Sequence, residues 1–389
     1  MMTVKILRWG DKSNRVIHCP SVVGGNAPSL SLALNDLGVD SISVALESHP
    51  FGYSPDVVLW KQRDSLLMRE IIRIFAVFRV AYGYSVIHFN FGTTMASPSL
   101  PLLRSQAGLP RFLIRRLHYW YTDILQIVEI GLLRLLRRHV VVTFQGDDAR
   151  QGDICLNSFS ESIAHHVGSE YYNAVTDRIK RRRITRISRI ASAITSVNPD
   201  LLHVLPLGSL FIPYCHTEVQ NQNNNSPSAK SGHLRILHAP SHRAAKGTDL
   251  IVKTIEGLQS KGLKIELILL ENISHDLIGN AIDDCDLLID QLYAGWYGGI
   301  AVEAMCRAKP VMTYIRQSDL KFVDPQMQME LPLISVDAKN LSFEIQKYFS
   351  MSDDERNSLQ QRSLSFATKW HDRHQIARLY ASLYSKGLD

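Results

Sequence analysis

Short apolar runs rich in β-branched residues recur along this chain with helical patterns between them, and that alternation restricts the fold more than any other feature. The runs cover 15–19, 41–46, 86–90, 139–144 and 193–197 in the first half, then 234–238, 264–270, 287–290 and 311–315 in the second. Runs this short and this apolar suit strands buried on both faces, which is the situation of a parallel sheet covered by helices. The fold class expected is therefore α/β, with one doubly covered sheet in each half.

Length and local composition divide the chain. At 389 residues and 45% hydrophobic content, it exceeds one ordinary core and has enough apolar material for two. The stretch 217–232 is polar, amide-rich and almost free of large apolar groups, so it reads as a linker. The expected layout is an N-terminal domain over 1–216, the linker, a C-terminal domain over 233–371, and a helix over 372–389 that packs back on the N-terminal domain. Helical spacing of Ile376, Leu379, Tyr380 and Leu383 supports that last element.

The net charge of +6 favours an anionic partner without choosing which. Five cysteines, Cys19, Cys155, Cys215, Cys285 and Cys306, have no metal-ligand spacing and fit a reducing compartment. The first ten residues lack the pattern of a secretory signal, and charged residues interrupt both long apolar stretches, so a cytoplasmic protein is expected.

Two segments carry the chemistry. His238-Ala-Pro-Ser-His-Arg-Ala-Ala-Lys-Gly247 follows an apolar run and precedes a helical pattern, placing Arg243 and Lys246 where a strand hands over to a helix N-terminus. Two cations with free amides suit a diphosphate; a solvated basic turn capped by Thr248 and Asp249 is the plainer reading. Residues 290–305 bring Asp290, Gln291, a Gly-rich turn with Gly298 and Gly299, and Glu303 to another helix start. A carboxylate there accepts ribose hydroxyls or complements the helix dipole. Tyr293, Trp296 and Tyr297 pave a sugar or base pocket, or fill the core. Nearer the start, Val23-Gly24-Gly25-Asn26 forms a glycine turn before a helix, short of a full dinucleotide fingerprint. Three carboxylates follow Gln145-Gly146: Asp147, Asp148 and Asp153, for acceptor positioning or turn formation.

The second half resembles the nucleotide-binding domain of retaining GT-B glycosyltransferases of the family 4 type, which include many enzymes of bacterial surface-polysaccharide assembly. Pro240-Ser241 through Lys246-Gly247, Asp290-Gln291, Gly295 through Gly299 and Glu303 through Val311 carry the likeness; Gly24-Gly25-Asn26, Val86-Ile-His88 and Thr143-Phe-Gln-Gly-Asp147 extend it less sharply into the first half. The resemblance implies two Rossmann-like α/β domains facing a central cleft, the first for the acceptor and the second for a nucleotide-diphosphate sugar. It gives Arg243 and Lys246 the donor phosphates and Glu303 the ribose. Gly298, Gly299, Asp290, Gln291, Gly24 and Gly25 complete the donor site, and Asn26, Gln145, Asp147 and Tyr297 contact substrate. No metal or other cofactor is implied, because the protein's cations take a metal's place. Two positions depart from the pattern. Gly295 stands where relatives carry the first of two glutamates, so Asp290, Gln291 or loop amides would supply the missing contact. Gln145 stands where relatives carry histidine, a role for which His88 is the compensating candidate, although a histidine at an apolar strand end reads more simply as a satisfied structural residue.

Two basic stretches remain. Arg104, Arg111, Arg115, Arg116, Arg134, Arg137 and Arg138 interleave with Phe112, Leu113, Ile114, Tyr119, Trp120 and Tyr121, either as a surface for anionic lipid at the inner face of the cell membrane or as a charged helix face. Arg178 through Arg189 forms a second cationic run. The leading expectation is a retaining glycosyltransferase acting on a saccharide or lipid-linked saccharide, with no nucleic-acid partner. Its rivals are a nucleotide-sugar epimerase or hydrolase of the same fold, and a nucleic-acid-binding protein using the second run.

Overall fold

The computed structural model describes residues 15–49, 52–61, 63–97, 109–215, 233–271 and 275–388, the side chains of 109–115, 275, 276 and 386 apart. The expected linker at 217–232 lies outside the described residues, as do Arg104 and the side chains of Arg111, Phe112, Leu113, Ile114 and Arg115.

Each apolar run becomes a strand. β1 (Val16–Cys19), β2 (Ser41–Ala45), β3 (Val57–Val58), β4 (Val86–Asn90), β5 (His139–Phe144), β6 (Ala193–Ser196) and β7 (Leu210–Phe211) form one sheet in the order β3-β2-β1-β4-β5-β6-β7. β8 (Leu234–His238), β9 (Ile265–Leu269), β10 (Leu287–Ile289), β11 (Val311–Thr313) and β12 (Ile334–Ser335) form a second, ordered β12-β11-β10-β8-β9. Every pairing is parallel. The strands not anticipated, β3, β7 and β12, are two-residue edge pieces that leave little periodic signal.

Strand order fixes where a ligand can sit. In the first sheet the chain winds outward from β1 through β2 and β3, then returns to lay β4 on the other side of β1. In the second it goes from β8 to β9, then returns to lay β10 on the other side of β8. Loops leaving the carboxyl ends of β1 and β4, and of β8 and β10, therefore diverge and open a crevice at each switch point.

Helices cover both sheets, and several have legible starts. Helix Leu66–Gly83 is capped by Ser65, whose hydroxyl accepts from the Met68 amide; Asn173 with Thr176 and Ser352 with Glu355 form capping boxes for Ala174–Ser188 and Asp353–Trp370. Helix Arg373–Leu388 crosses back to the first sheet. There Ile376, Ala377, Tyr380 and Tyr384 pack with Val16, Leu30, Ala33, Leu34, Val86 and Val141 in one apolar cluster. Under it lies a polar seam: the Tyr384 hydroxyl meets His88 Nδ1 at 2.6 Å, His88 Nε2 meets Thr143 Oγ1 at 2.6 Å, and Thr143 and Thr195 both meet the Tyr380 hydroxyl.

One buried carboxylate organises the far side of the first sheet. Glu129, on helix Leu109–Leu135, accepts the Met95 and Ala96 amides at 3.1 Å each and pins the loop after β4. Burial raises its pKa to about 7, against hydrogen bonds from Thr94, Ala96 and Met95 and the charge of Arg73. The folded state thus favours the protonated acid; the stability this lends is complete below the unfolded value of about 4.3 and is lost as pH rises through about 7. Glu129→Gln is expected to gain stability on its parent between about pH 5 and about pH 8, by roughly 3 kcal/mol. Denaturant midpoints at the two pH values check this, and an equal offset at both would remove the assignment.

Candidate functional site

A cleft opens where the carboxyl edges of the two sheets meet, with about 990 Å³ of empty space including its mouth. Val23 and Gly24 follow β1, His49 and Tyr53 follow β2, Gln145 follows β5 and Tyr214 follows β7. Opposite them stand Ala239, Pro240, Ser241 and Lys246 after β8, Leu270 after β9, and Gly299, Ile300 and Glu303 after β10. Size and mixed lining fit a small organic ligand.

Glycines bring the backbone of the first wall close. Gly24 and Gly25 have φ of 66° and 68°, a region L side chains rarely adopt, and a Cβ on Gly25 would stand 3.1 Å from the Tyr53 ring. Beside them the turn after β5 is built on Asp148, whose carboxylate accepts the amides of Gln145 and Gly146; burial pushes its pKa up to about 6. This turn holds Gln145 at the cleft, buried, with neither side-chain nitrogen nor oxygen hydrogen-bonded within the protein. A buried amide left without partners is costly unless something else meets it. Burial also raises the Tyr214 hydroxyl to about 12.

The second wall is held by one ion pair. Lys246 ends the short helix Arg243–Lys246, and Gly247, at φ 79°, swings the chain into helix Thr248–Ser260. Lys246 Nζ donates to Asp290 Oδ1 at 2.8 Å, while Asp290 Oδ2 accepts the Gly298 amide at 2.6 Å. Asp290 thereby ties the β8 turn to the loop that starts helix Gly299–Cys306. That helix carries Glu303 on its second turn, buried at the cleft and close enough to raise the Tyr53 hydroxyl, after burial itself. His238 is structural: its ring bridges the Ile289 carbonyl and the Thr248 hydroxyl, and burial lowers it to about 4.

The structure thus gathers Lys246, Glu303, Gly299, Gly24 and Gln145 around the cleft, with Asp290, Gly298 and Gly25 directly behind them. Other expected residues stand elsewhere. His88 is fully buried in the seam under helix Arg373–Leu388, both nitrogens engaged and its pKa depressed by burial, so it cannot compensate for Gln145. Asn26 accepts the Cys215 amide at 2.8 Å in the core. Gln291 turns into its own loop, donating to the Trp296 carbonyl. Tyr297 is wholly buried, stacked on Trp296 and bonded to His371 at 2.8 Å. Asp147 is taken up by Tyr171, Tyr172 and Arg150; burial raises its pKa, but Arg150, Lys180 and the tyrosine hydroxyls outweigh this and hold it low. Arg243 lies outside the lining, exposed and paired with Asp249 at 2.5 Å and Glu271 at 2.7 Å.

Two further expectations are resolved by packing. At Gly295, φ 88°, a Cβ would stand 2.5 Å from Arg316 Nη1, so a guanidinium paired with Asp319 occupies the space a side chain at this position would need. In the run 178–189, Lys180 and Arg183 are buried while Arg181 and Arg186 pair with Asp153 and Asp123, which breaks up the cationic stripe that nucleic acid would need. Sequence reasoning missed His49, Tyr53 and Tyr214. They sit in loops after β2 and β7, and only the strand order brings those loops to the cleft.

No protein-family model matches the chain, and no curated protein matches it in sequence. Solved structures do. Sucrose-phosphate synthase from Thermosynechococcus elongatus superposes with a TM-score of 0.57 at 14% identity, over 96% of this chain and 99% of that one. A glycosyltransferase from Rickettsia africae gives 0.56 at 13% identity, over 98% and 100%. The chain has the GT-B fold of these proteins, with its two parallel sheets of seven and five strands.

Because Asp290 is buried and holds two partners, Asp290→Ala is expected to destabilise the protein by about 3–5 kcal/mol, read as a lower denaturant midpoint. Asp290→Asn, which keeps the shape and an acceptor but not the charge, should lose less; equal losses would mean that the charge alone holds the loop.

Proposed function

We propose that this protein is a retaining glycosyltransferase of the family 4 type, moving a sugar from a nucleotide diphosphate to a saccharide or lipid-linked saccharide, as in cell-surface polysaccharide assembly. One observation carries the reading: the cleft joins an ammonium and a helix N-terminus on one wall to a glycine turn and a partnerless amide on the other.

In this reading Lys246 and the first amides of helix Gly299–Cys306 hold the diphosphate, where positive charge and the helix dipole reinforce each other. Glu303 accepts hydroxyls of the ribose. Gln145, with a donor and an acceptor both free for a ligand, and the backbone of Gly24 bind the transferred sugar or the diphosphate from across the cleft. Arg243 joins the phosphates by leaving Asp249 and Glu271, since its side chain is exposed and within one helical turn of Lys246.

The reaction needs no covalent enzyme intermediate. An acceptor hydroxyl attacks the anomeric carbon on the face from which the diphosphate leaves; the bond from that carbon to the phosphate oxygen breaks, and the hydroxyl proton passes to the departing phosphate. Negative charge grows on the leaving group, and cations already in place stabilise it without reorganising. The protein's own groups meet the diphosphate, so no metal or other cofactor enters the scheme. The work would take place in the cytoplasm, at the inner face of the membrane when the acceptor is lipid-linked.

Lys246→Ala and Glu303→Ala are each expected to lower transfer by about 10²–10³-fold, with circular dichroism unchanged. Saturating nucleoside diphosphate should raise the parent's melting temperature, by about 2.7 kcal/mol of stability at 100 times Kd. Lys246→Ala should weaken that shift. Screening uridine, guanosine and adenosine diphosphates identifies the base. Full activity in either variant, or no shift with any nucleotide, would refute the reading, and free sugar or isomer formed without acceptor would favour a hydrolase or epimerase.

A further inference from the structure

Helices Leu66–Gly83 and Leu109–Leu135 pack together on the outer face of the first sheet, and they are apolar toward solvent as well as toward the core. On the first, every exposed position is apolar or aromatic: Leu66, Leu67, Met68, Ile71, Ile74, Phe75, Phe78 and Tyr82, with Leu67, Phe75 and Tyr82 exposed at 73%, 65% and 59%. Positions 67, 71, 74, 78 and 82 follow the helical repeat, so the side chains form one stripe. On the second, Leu117, Trp120, Ile124, Ile127, Val128 and Leu135 form a matching stripe, with Trp120 exposed at 68%. Several polar groups are buried among the apolar residues of the inward faces. Arg73 is buried against Glu70 and the carbonyls of Met95 and Ser97; Glu70 also meets His118 on the other helix at 3.0 Å; Gln126 and Glu129 are buried beneath.

We propose that these two helices are an interfacial anchor lying in the plane of an anionic lipid bilayer. Two contiguous apolar stripes side by side exceed what a water-facing surface normally shows, and no acid and few polar groups interrupt them. The charges select the kind of surface. Arg116 and Arg134 are exposed near the two ends of the Leu117–Leu135 stripe and Arg137 follows it, while none of the three acids on these helices, Glu70, Asp123 and Glu129, is exposed. A second copy of the chain would meet these arginines with its own, whereas anionic headgroups neutralise them. Trp120 and Tyr82 supply the aromatic groups that favour the headgroup region. No helix among the described residues is long and apolar enough to cross a membrane, so insertion is in plane. The inference deepens the lipid-linked reading of the acceptor, yet it is tested without donor or acceptor, so the two can fail separately.

The test is co-sedimentation of the full chain with vesicles of phosphatidylcholine alone and with about 30% phosphatidylglycerol, at low and about 0.5 M salt. The protein is expected to pellet with the anionic vesicles at low salt. Phe75→Ser/Trp120→Ser should cut the bound fraction at least about fivefold, and Arg116→Gln/Arg134→Gln should abolish the preference for anionic vesicles. Circular dichroism, which reads the whole fold, and the nucleotide-induced thermal shift, which reads the cleft, should match the parent in both variants. Parent protein that stays in the supernatant with both vesicle types overturns the proposal. So does an oligomer in sedimentation equilibrium that Phe75→Ser/Trp120→Ser dissociates while vesicle binding is unaffected, since that result assigns the surface to a second copy.

Discussion

A parallel strand delivers its carboxyl end to the same edge as its neighbours, and everything of chemical interest in this protein follows from applying that constraint twice. Each sheet reverses its direction of winding once, between β1 and β4 and between β8 and β10, and each reversal parts two loops. With the two edges set face to face, loops from seven strands converge on one cleft, although the residues they carry are spread from Val23 to Glu303. Glycines at 24, 25 and 247 let the backbone take the positive φ such close turns need.

Much of this was legible in the sequence. The nine principal strands stand where β-branched runs predict them, because a strand buried on both faces has no polar alternation to obscure it. Lys246 and Glu303 reach the cleft because each lies on the segment that leads from a strand's carboxyl end into the next helix, where local reasoning is strong. His88, Asn26 and Tyr297 misled for the same local reason. Each sits near a strand end or a glycine turn, but side-chain direction is set by partners distant in sequence: Tyr384 for His88, Cys215 for Asn26, His371 for Tyr297. A periodic pattern carries no information about such partners. Tyr53 and Tyr214 were invisible for the converse reason, since nothing in their own segments marks them and the sheet order alone places them.

Buried polar groups do two different jobs here. In the seam under the last helix, His88, Thr143, Thr195, Tyr380 and Tyr384 satisfy one another, which fixes one registry of that helix against the sheet. At the cleft, Lys246 and Asp290 are paired while Gln145 is not. The first arrangement is closed and favours rigidity. The second leaves hydrogen-bonding capacity that no group of the protein uses, at the surface of the cleft.

Helix Arg373–Leu388 belongs to the first sheet by contact and to the second by chain order, so the polypeptide passes between the halves twice. His371 Nδ1 meets the Tyr214 carbonyl at 2.9 Å, joining the chain just before the final helix to the end of the first half. The other nitrogen of the same ring meets the Tyr297 hydroxyl at 2.8 Å, so one imidazole is shared between the end of the first half and the glycine turn of the second. A substitution at His371 would therefore be felt on both sides at once.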